Sequence, residues 1–154
     1  MRYSNETKEK SNGVVYTPTE MADYLADQMI RYSTFDFDVK NGVKLLDPAV
    51  GEGELLVAMI KRVKAIAPTI HITATGYETD AIIAIQTKEA LQQAFPDVDI
   101  EIIADDFLST VESIENKFDF IIANPPYIRT QILGTEKEKE IEKKMGLTGR
   151  IDIY

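Results

Sequence analysis

The chain has 154 residues, 44% of them hydrophobic, enough for one domain with a core of its own. It contains no cysteine, which excludes disulfides and thiolate metal sites. Its formal net charge of −9 suits poorly a surface that grips nucleic acid unaided, because neutralising phosphates needs Lys and Arg.

Residues 1–13 form a polar arm ending in Asn12-Gly13, a turn signal. No signal peptide is visible and no apolar run approaches spanning length, so the expectation is a soluble, cytoplasmic protein with no membrane partner. Tyr16-Thr17-Pro18-Thr19-Glu20 then reads as a helix start. Thr17 is the expected N-cap, Pro18 the first helical residue and Glu20 the other half of a capping box. The helix runs to about Tyr32, with Met21, Leu25 and Met29 on its apolar face.

Val43 to Asp47 is a short strand, Pro48-Ala49-Val50-Gly51-Glu52-Gly53 a tight loop, and Glu54 to about Ile66 a helix with Leu55, Met59 and Val63 on one face. Strand, glycine-rich loop and helix in this order open a nucleotide-binding α/β fold. A dinucleotide fingerprint would carry a third glycine where Leu56 stands, and a P-loop would need Gly-Lys-Ser/Thr, which is absent. Asp47, Glu52 and Glu54 crowd the loop with negative charge, which repels a pyrophosphate but suits a cation. S-adenosylmethionine (SAM), with its sulfonium and ammonium groups, fits that electrostatics better than NAD or ATP.

Ile70 to Glu78 alternates as a second strand, and Ala81 to Ala94 is a helix capped by Asp80. Glu78 is thereby left free at the strand end, where an acid can accept from two ribose hydroxyls. Ile100 to Ala104 is a third strand followed by Asp105-Asp106-Phe107, and 108–117 is a short helical or irregular link. His71, the one histidine, sits in a strand pattern and is given no role. No metal site is expected.

Phe118 to Ala123 is a nearly continuous apolar run, expected as a strand buried on both faces of a parallel sheet. It stops at Asn124, and Pro125-Pro126-Tyr127 leaves it as a stiff loop. Beyond it, the balanced charges of Glu136 to Lys144 read as a solvated helix with paired faces.

Asn124-Pro125-Pro126-Tyr127 resembles the catalytic motif of SAM-dependent amino-methyltransferases. With Tyr16-Thr17-Pro18 placed first, then Asp47-Pro-Ala-Val-Gly51-Glu-Gly53, Glu78 and Asp106-Phe107, the series looks like the front part of an N6-adenine DNA methyltransferase of restriction–modification systems, in the gamma order of motifs. The ending Gly149-Arg150-Ile-Asp-Ile-Tyr154 is similar to a stretch of type I and type IIG relatives. The resemblance covers about residue 13 to the end.

That resemblance implies a SAM site lined by Tyr16, Thr17, Asp47, Ala49, Gly51, Gly53, Glu78, Asp106, Phe107 and Pro126. It implies a target-base site made by Asn124, Pro125 and Tyr127. The expected fold is α/β and Rossmann-like, a parallel sheet in spatial order 3-2-1-4 with helices on both faces, apparently truncated. The expected organisation is an arm at 1–13, a partial catalytic core at 14–134 and a charged helical segment at 135–154.

The expected partner is double-stranded DNA, held mainly by a target-recognition region outside this sequence. A specificity or restriction subunit, or a second copy paired through an exposed sheet edge, would complete the assembly. Two alternatives stand beside this reading. One is protein glutamine N5-methylation, since that amide nitrogen is similarly delocalised. The other is a non-catalytic SAM-binding or assembly fragment.

Overall fold

The computed structural model describes residues 17–37, 42–110 and 118–124. The chain divides into two compact units, Tyr16–Ala123 and a second made of Met1–Val15 with Asn124–Tyr154. The sheet and its helices belong to the first, and Asn124 is the one described residue of the second.

The elements run α1 (Thr19–Tyr32), β1 (Gly42–Asp47), α2 (Glu54–Ile66), β2 (His71–Tyr77), α3 (Ala81–Ala94), β3 (Asp99–Ile103), α4 (Phe107–Thr110) and β4 (Phe120–Ile121). The four strands form one parallel sheet in the order β3-β2-β1-β4, as the sequence led us to expect. The register pairs Asp47 of β1 with Gly76 of β2, and Gly76 with Ile102 of β3. The carboxyl ends of the three longer strands thus lie along one edge, where open α/β sheets take their ligands.

A single core lies between one face of the sheet and the long helices. Val43 and Leu45, Ile72 and Ala74, and Ile100 point into it at the two-residue period of a strand. They meet Ala22, Ala26 and Ile30 of α1, Leu55, Leu56, Met59, Ile60 and Val63 of α2, and Leu91 of α3. On the opposite face, Tyr77 packs edge-on against Phe107 of α4, with ring centroids 5.2 Å apart. Arg62 and Asp27 join α2 to α1 at 2.7 Å, an exposed pair that contributes little to stability. His71 pairs with Asp99 at 3.0 Å, at the start of β2 and β3. No helix among the described residues is long and apolar enough to cross a membrane.

Two local expectations are corrected. The first concerns α1, which starts one residue later than its capping pattern suggests. Pro18 is the N-cap residue, with ψ at 141°, and no side chain caps the helix. The Pro18 carbonyl accepts from Met21 and Ala22 N–H, both at 3.0 Å. The buried face is Ala22, Ala26 and Ile30, while Met21 is 52% exposed and Leu25 and Met29 are only partly buried against the core. Small alanines let α1 approach α2 closely, and that contact chooses the face over side-chain size.

The second correction concerns β4. Only Phe120–Ile121 is strand, and the run is not buried on both faces. Phe120 and Ile122 enter the core, but Ile121 is 57% exposed. The strand takes its place through ladder bonds to β1: Asp119 N–H donates to the Lys44 carbonyl at 2.9 Å and Ile122 N–H to the Leu46 carbonyl at 2.9 Å. The Asp119 carboxylate adds a bond from Lys44 N–H at 2.8 Å. Phe35 and Phe37, from the segment after α1, cover Phe120 with ring centroids at 5.5 and 6.3 Å.

Candidate cofactor site

The site begins where β1 ends. Asp47 is 1% exposed, yet its Oδ1 accepts the Ala49 N–H at 3.0 Å, so the side chain turns the chain back at the start of the loop. Burial pushes its carboxyl from an ordinary 3.8 up to about 7, opposed in part by the Ala49 hydrogen bond and reinforced by the negative charge of Glu78. A positive charge brought to this edge of the sheet would favour its ionised form.

From Asp47 to Gly53 the loop is tied down at each turn. Val50 N–H donates to the Tyr77 carbonyl at 2.8 Å, stitching the loop to the end of β2. Gly53 N–H donates to the Val50 carbonyl at 2.8 Å, and the Thr87 hydroxyl of α3 donates to the Gly51 carbonyl at 2.6 Å. Gly51 has φ +50° and Gly53 φ +90°, both in the left-handed region that favours glycine. A Cβ built on Gly51 would meet no atom of the described residues within 4 Å, so among them that side of the loop is open to a ligand. Gly53 is different: a Cβ there would stand 3.1 Å from Thr87 Cγ2 and 3.4 Å from Leu91 Cδ1.

Glu78 follows β2, half-buried, with its N–H donating to the Ile103 carbonyl at 3.0 Å. Its Oε1 accepts the Asp80 N–H at 2.8 Å. Asp80 in turn caps α3, its Oδ1 accepting from Ile82 N–H at 2.9 Å and Ile83 N–H at 3.2 Å. Glu78 is therefore oriented by the turn rather than left wholly free of local bonds. Asp106 lies after β3, exposed, with Oδ1 accepting the Leu108 N–H at 3.0 Å. Phe107 is half-buried against Tyr77. Thr17, also half-buried, precedes α1, whose Thr19 hydroxyl donates to Glu54 Oε2 at 3.2 Å and so holds the start of α1 against the start of α2.

The structure thus gathers Asp47, Ala49, Gly51, Gly53 and Glu78 at the carboxyl edge of β1 and β2. Asp106 and Phe107 follow the neighbouring β3. Asn124 follows β4 in the chain and is half-buried. Tyr16, Pro125, Pro126 and Tyr127 lie outside the described residues, as do the polar arm at 1–13 and the charged segment at 135–154.

Three residues given no role by the sequence prove central to the loop: Gly76 and Thr87, which lie outside the motifs, and Val50, which lies within one. Gly76 lies opposite Asp47, and a Cβ on it would fall 2.8 Å from Ile102 Cδ1 and 2.9 Å from Val50 Cβ. Val50 itself is 5% exposed, and Thr87 holds the loop from a helix that starts beyond the next strand. The run of alternating residues around Gly76 was the one available hint, since a glycine inside a strand marks close backbone approach. Among the described residues, no group of three or more His, Asp or Glu is gathered to hold a metal ion.

The donor set fits a cationic nucleoside-like ligand: a desolvated acid beneath the loop, an open glycine, and an oriented acid at the end of β2. Comparison with known proteins bears on what that ligand is. Residues 1–148 match the family model N-6 DNA Methylase. The chain is 32% identical over 170 residues to the type II methyltransferase M.BanIII of Aneurinibacillus aneurinilyticus, covering 96% of this chain and 27% of that protein. It is 27% identical over 126 residues to the release factor glutamine methyltransferase of Flavobacterium psychrophilum, covering 82% of this chain and 38% of the relative. The chain thus spans from about a quarter to two fifths of the length of these relatives. Among solved structures, a Listeria monocytogenes protein assigned to the class I S-adenosylmethionine-dependent methyltransferases superposes with a TM-score of 0.58 at 18% identity, covering 81% of this chain and 38% of that one. At that identity the likeness establishes a shared fold.

Proposed function

The chain belongs to the N-6 DNA methylase family, and from that premise we propose that it carries the cofactor half of an enzyme transferring a methyl group from SAM to the exocyclic N6 of adenine in DNA. The single observation that carries the reading is the loop after β1. It is acid-backed at Asp47, held in left-handed φ at Gly51 and Gly53, and open at Gly51. When bound there, SAM supplies an electrophilic methyl on a sulfonium.

The protein's share of the work is binding and orientation. Asp47, Glu52 and Glu54 favour the cationic end of the ligand, with Ala49, Gly51 and Gly53 shaping the loop around it. Glu78 accepts from the ribose. Asp106 accepts from the adenine amine of the cofactor, and Phe107 packs against that ring. Tyr16, Thr17 and Pro126 complete the lining.

The target nitrogen needs a different kind of help, because its lone pair is delocalised into the base. The Asn124 side-chain oxygen and the Pro125 carbonyl accept its two N–H hydrogens, which favours a pyramidal nitrogen with its lone pair aimed at the methyl group. This is positioning plus preorganised electrostatics. Tyr127 stacks on a base rotated out of the duplex.

The net charge of −9 supports a reading in which these residues contribute little of the grip on DNA. The type II methyltransferase relative supports a place as the modification part of a restriction–modification system. The release-factor relative supports a second reading, methylation of a glutamine amide. Incubating the full protein with methyl-labelled SAM, duplex DNA and release-factor protein separates the two. N6-methyladenine in the DNA is the expected result, and label in protein alone would overturn it.

A further inference from the structure

Thr87 is the one polar side chain of α3 that is buried, at 4% exposure, and its only bond among the described residues is to the cofactor loop. Its hydroxyl donates to the Gly51 carbonyl at 2.6 Å. Its methyl faces Gly53, 3.1 Å from where a Cβ would stand. Gly51 and Gly53 are the two residues of the described chain with positive φ, so Thr87 touches both points at which the loop departs from ordinary backbone. Leu91, one turn further along α3, closes on Gly53 from the same side.

Without the hydroxyl, the partly buried Gly51 carbonyl would lose the donor it has among the described residues. A partly buried acceptor left without its donor is unfavourable, and the chain would relieve it by rotating the peptide that follows Gly51 toward solvent. That rotation alters the loop without touching the core beneath it, because Val50 remains held by Tyr77 and by packing over Gly76.

We propose that Thr87 is a positioning residue for the cofactor site. Through the Gly51 carbonyl it sets the left-handed turn from Gly51 to Gly53 in the geometry that receives SAM. The proposal rests on the cofactor reading above and deepens it, by assigning affinity to a helix residue that does not line the site.

Two substitutions divide the side chain into its parts. Thr87→Val keeps the methyl against Gly53 and removes the hydroxyl, whereas Thr87→Ser keeps the hydroxyl and removes the methyl. With SAM titrated calorimetrically into the full chain, the expected result is an affinity about tenfold weaker for Thr87→Val and within about threefold of the parent for Thr87→Ser. Both variants should stay folded, with melting lowered by only about a few degrees in each. Amide hydrogen exchange at Val50 to Gly53 should speed up about tenfold in Thr87→Val alone.

Parent-like binding by a folded Thr87→Val overturns the proposal. So does a tenfold loss in Thr87→Ser, which would assign the effect to packing and which decides the matter if Thr87→Val does not fold. A parent chain that is folded yet binds no SAM, with loop exchange still accelerated in Thr87→Val, would overturn the cofactor reading while leaving Thr87 as the lock on the loop.

Discussion

Replacing Asp47 with asparagine should make the protein more stable at neutral pH while weakening its hold on SAM. Asp47 is buried, and burial raises its carboxyl from 3.8 to about 7. Below pH 3.8 the group is neutral in both folded and unfolded chains and costs nothing. Between 3.8 and about 7 the folded state retains a proton that the unfolded chain has released, so stability falls as pH rises. Above about 7 both states are ionised and the penalty is constant. A pKa displaced by about 3 pH units corresponds to about 4 kcal/mol at most.

Asp47→Asn keeps an oxygen for the Ala49 N–H and never ionises. Urea unfolding of parent and variant between pH 4 and 8 isolates the effect, because all other carboxylates titrate in both. The variant should gain on the parent steadily from pH 4 to 7, by about 2–4 kcal/mol in all. A difference constant to within about 0.5 kcal/mol across that range would refute the reasoning. A bound cation favours ionised Asp47, so the parent's affinity for SAM should rise through pH 7 and that of Asp47→Asn should not.

Gly76→Ala should cost about 1–3 kcal/mol in chemical denaturation, because the added methyl meets both Ile102 and Val50 at under 3 Å. SAM affinity should fall as well, since Val50 carries the loop; an unchanged denaturation midpoint would deny the close approach. Glu78→Ala should weaken SAM about tenfold by calorimetry with little change in the fold, because its local bonds are to the exposed Thr79-Asp80 turn. Asn124→Ala should abolish methyl transfer in a labelled-methyl assay and leave SAM affinity within a few-fold; loss of both would contradict the division of labour between Asn124 and the cofactor loop.

Where sequence and structure agree, local signals were strong and long-range packing agreed with them. The expected limits of α2 and α3 coincide with the observed ones: the first follows a glycine in left-handed φ, and the second has an aspartate cap that accepts from two backbone N–H groups. The strands themselves were legible as apolar runs set between helices and turns, whereas their spatial order followed from the family resemblance. The failures are of two kinds. In α1 the larger apolar residues suggested one face, but close approach to α2 selected the alanine face next to it. In β4 a continuous apolar run suggested burial on both sides, whereas Ile121 is 57% exposed while its register partner Leu46 on β1 is buried. The roles of Gly76, Val50 and Thr87 were missed for a further reason. Their importance arises only when the loop folds back over β2 and against α3, and no local pattern encodes that contact.

The central claim is that the loop from Asp47 to Gly53 is a SAM site. Calorimetric titration of SAM into the chain tests it most directly, with circular dichroism on the same sample to establish folding. The account predicts saturable binding at one site per chain, weakened by Glu78→Ala. A folded sample that takes up no SAM would contradict the cofactor assignment and the function built upon it.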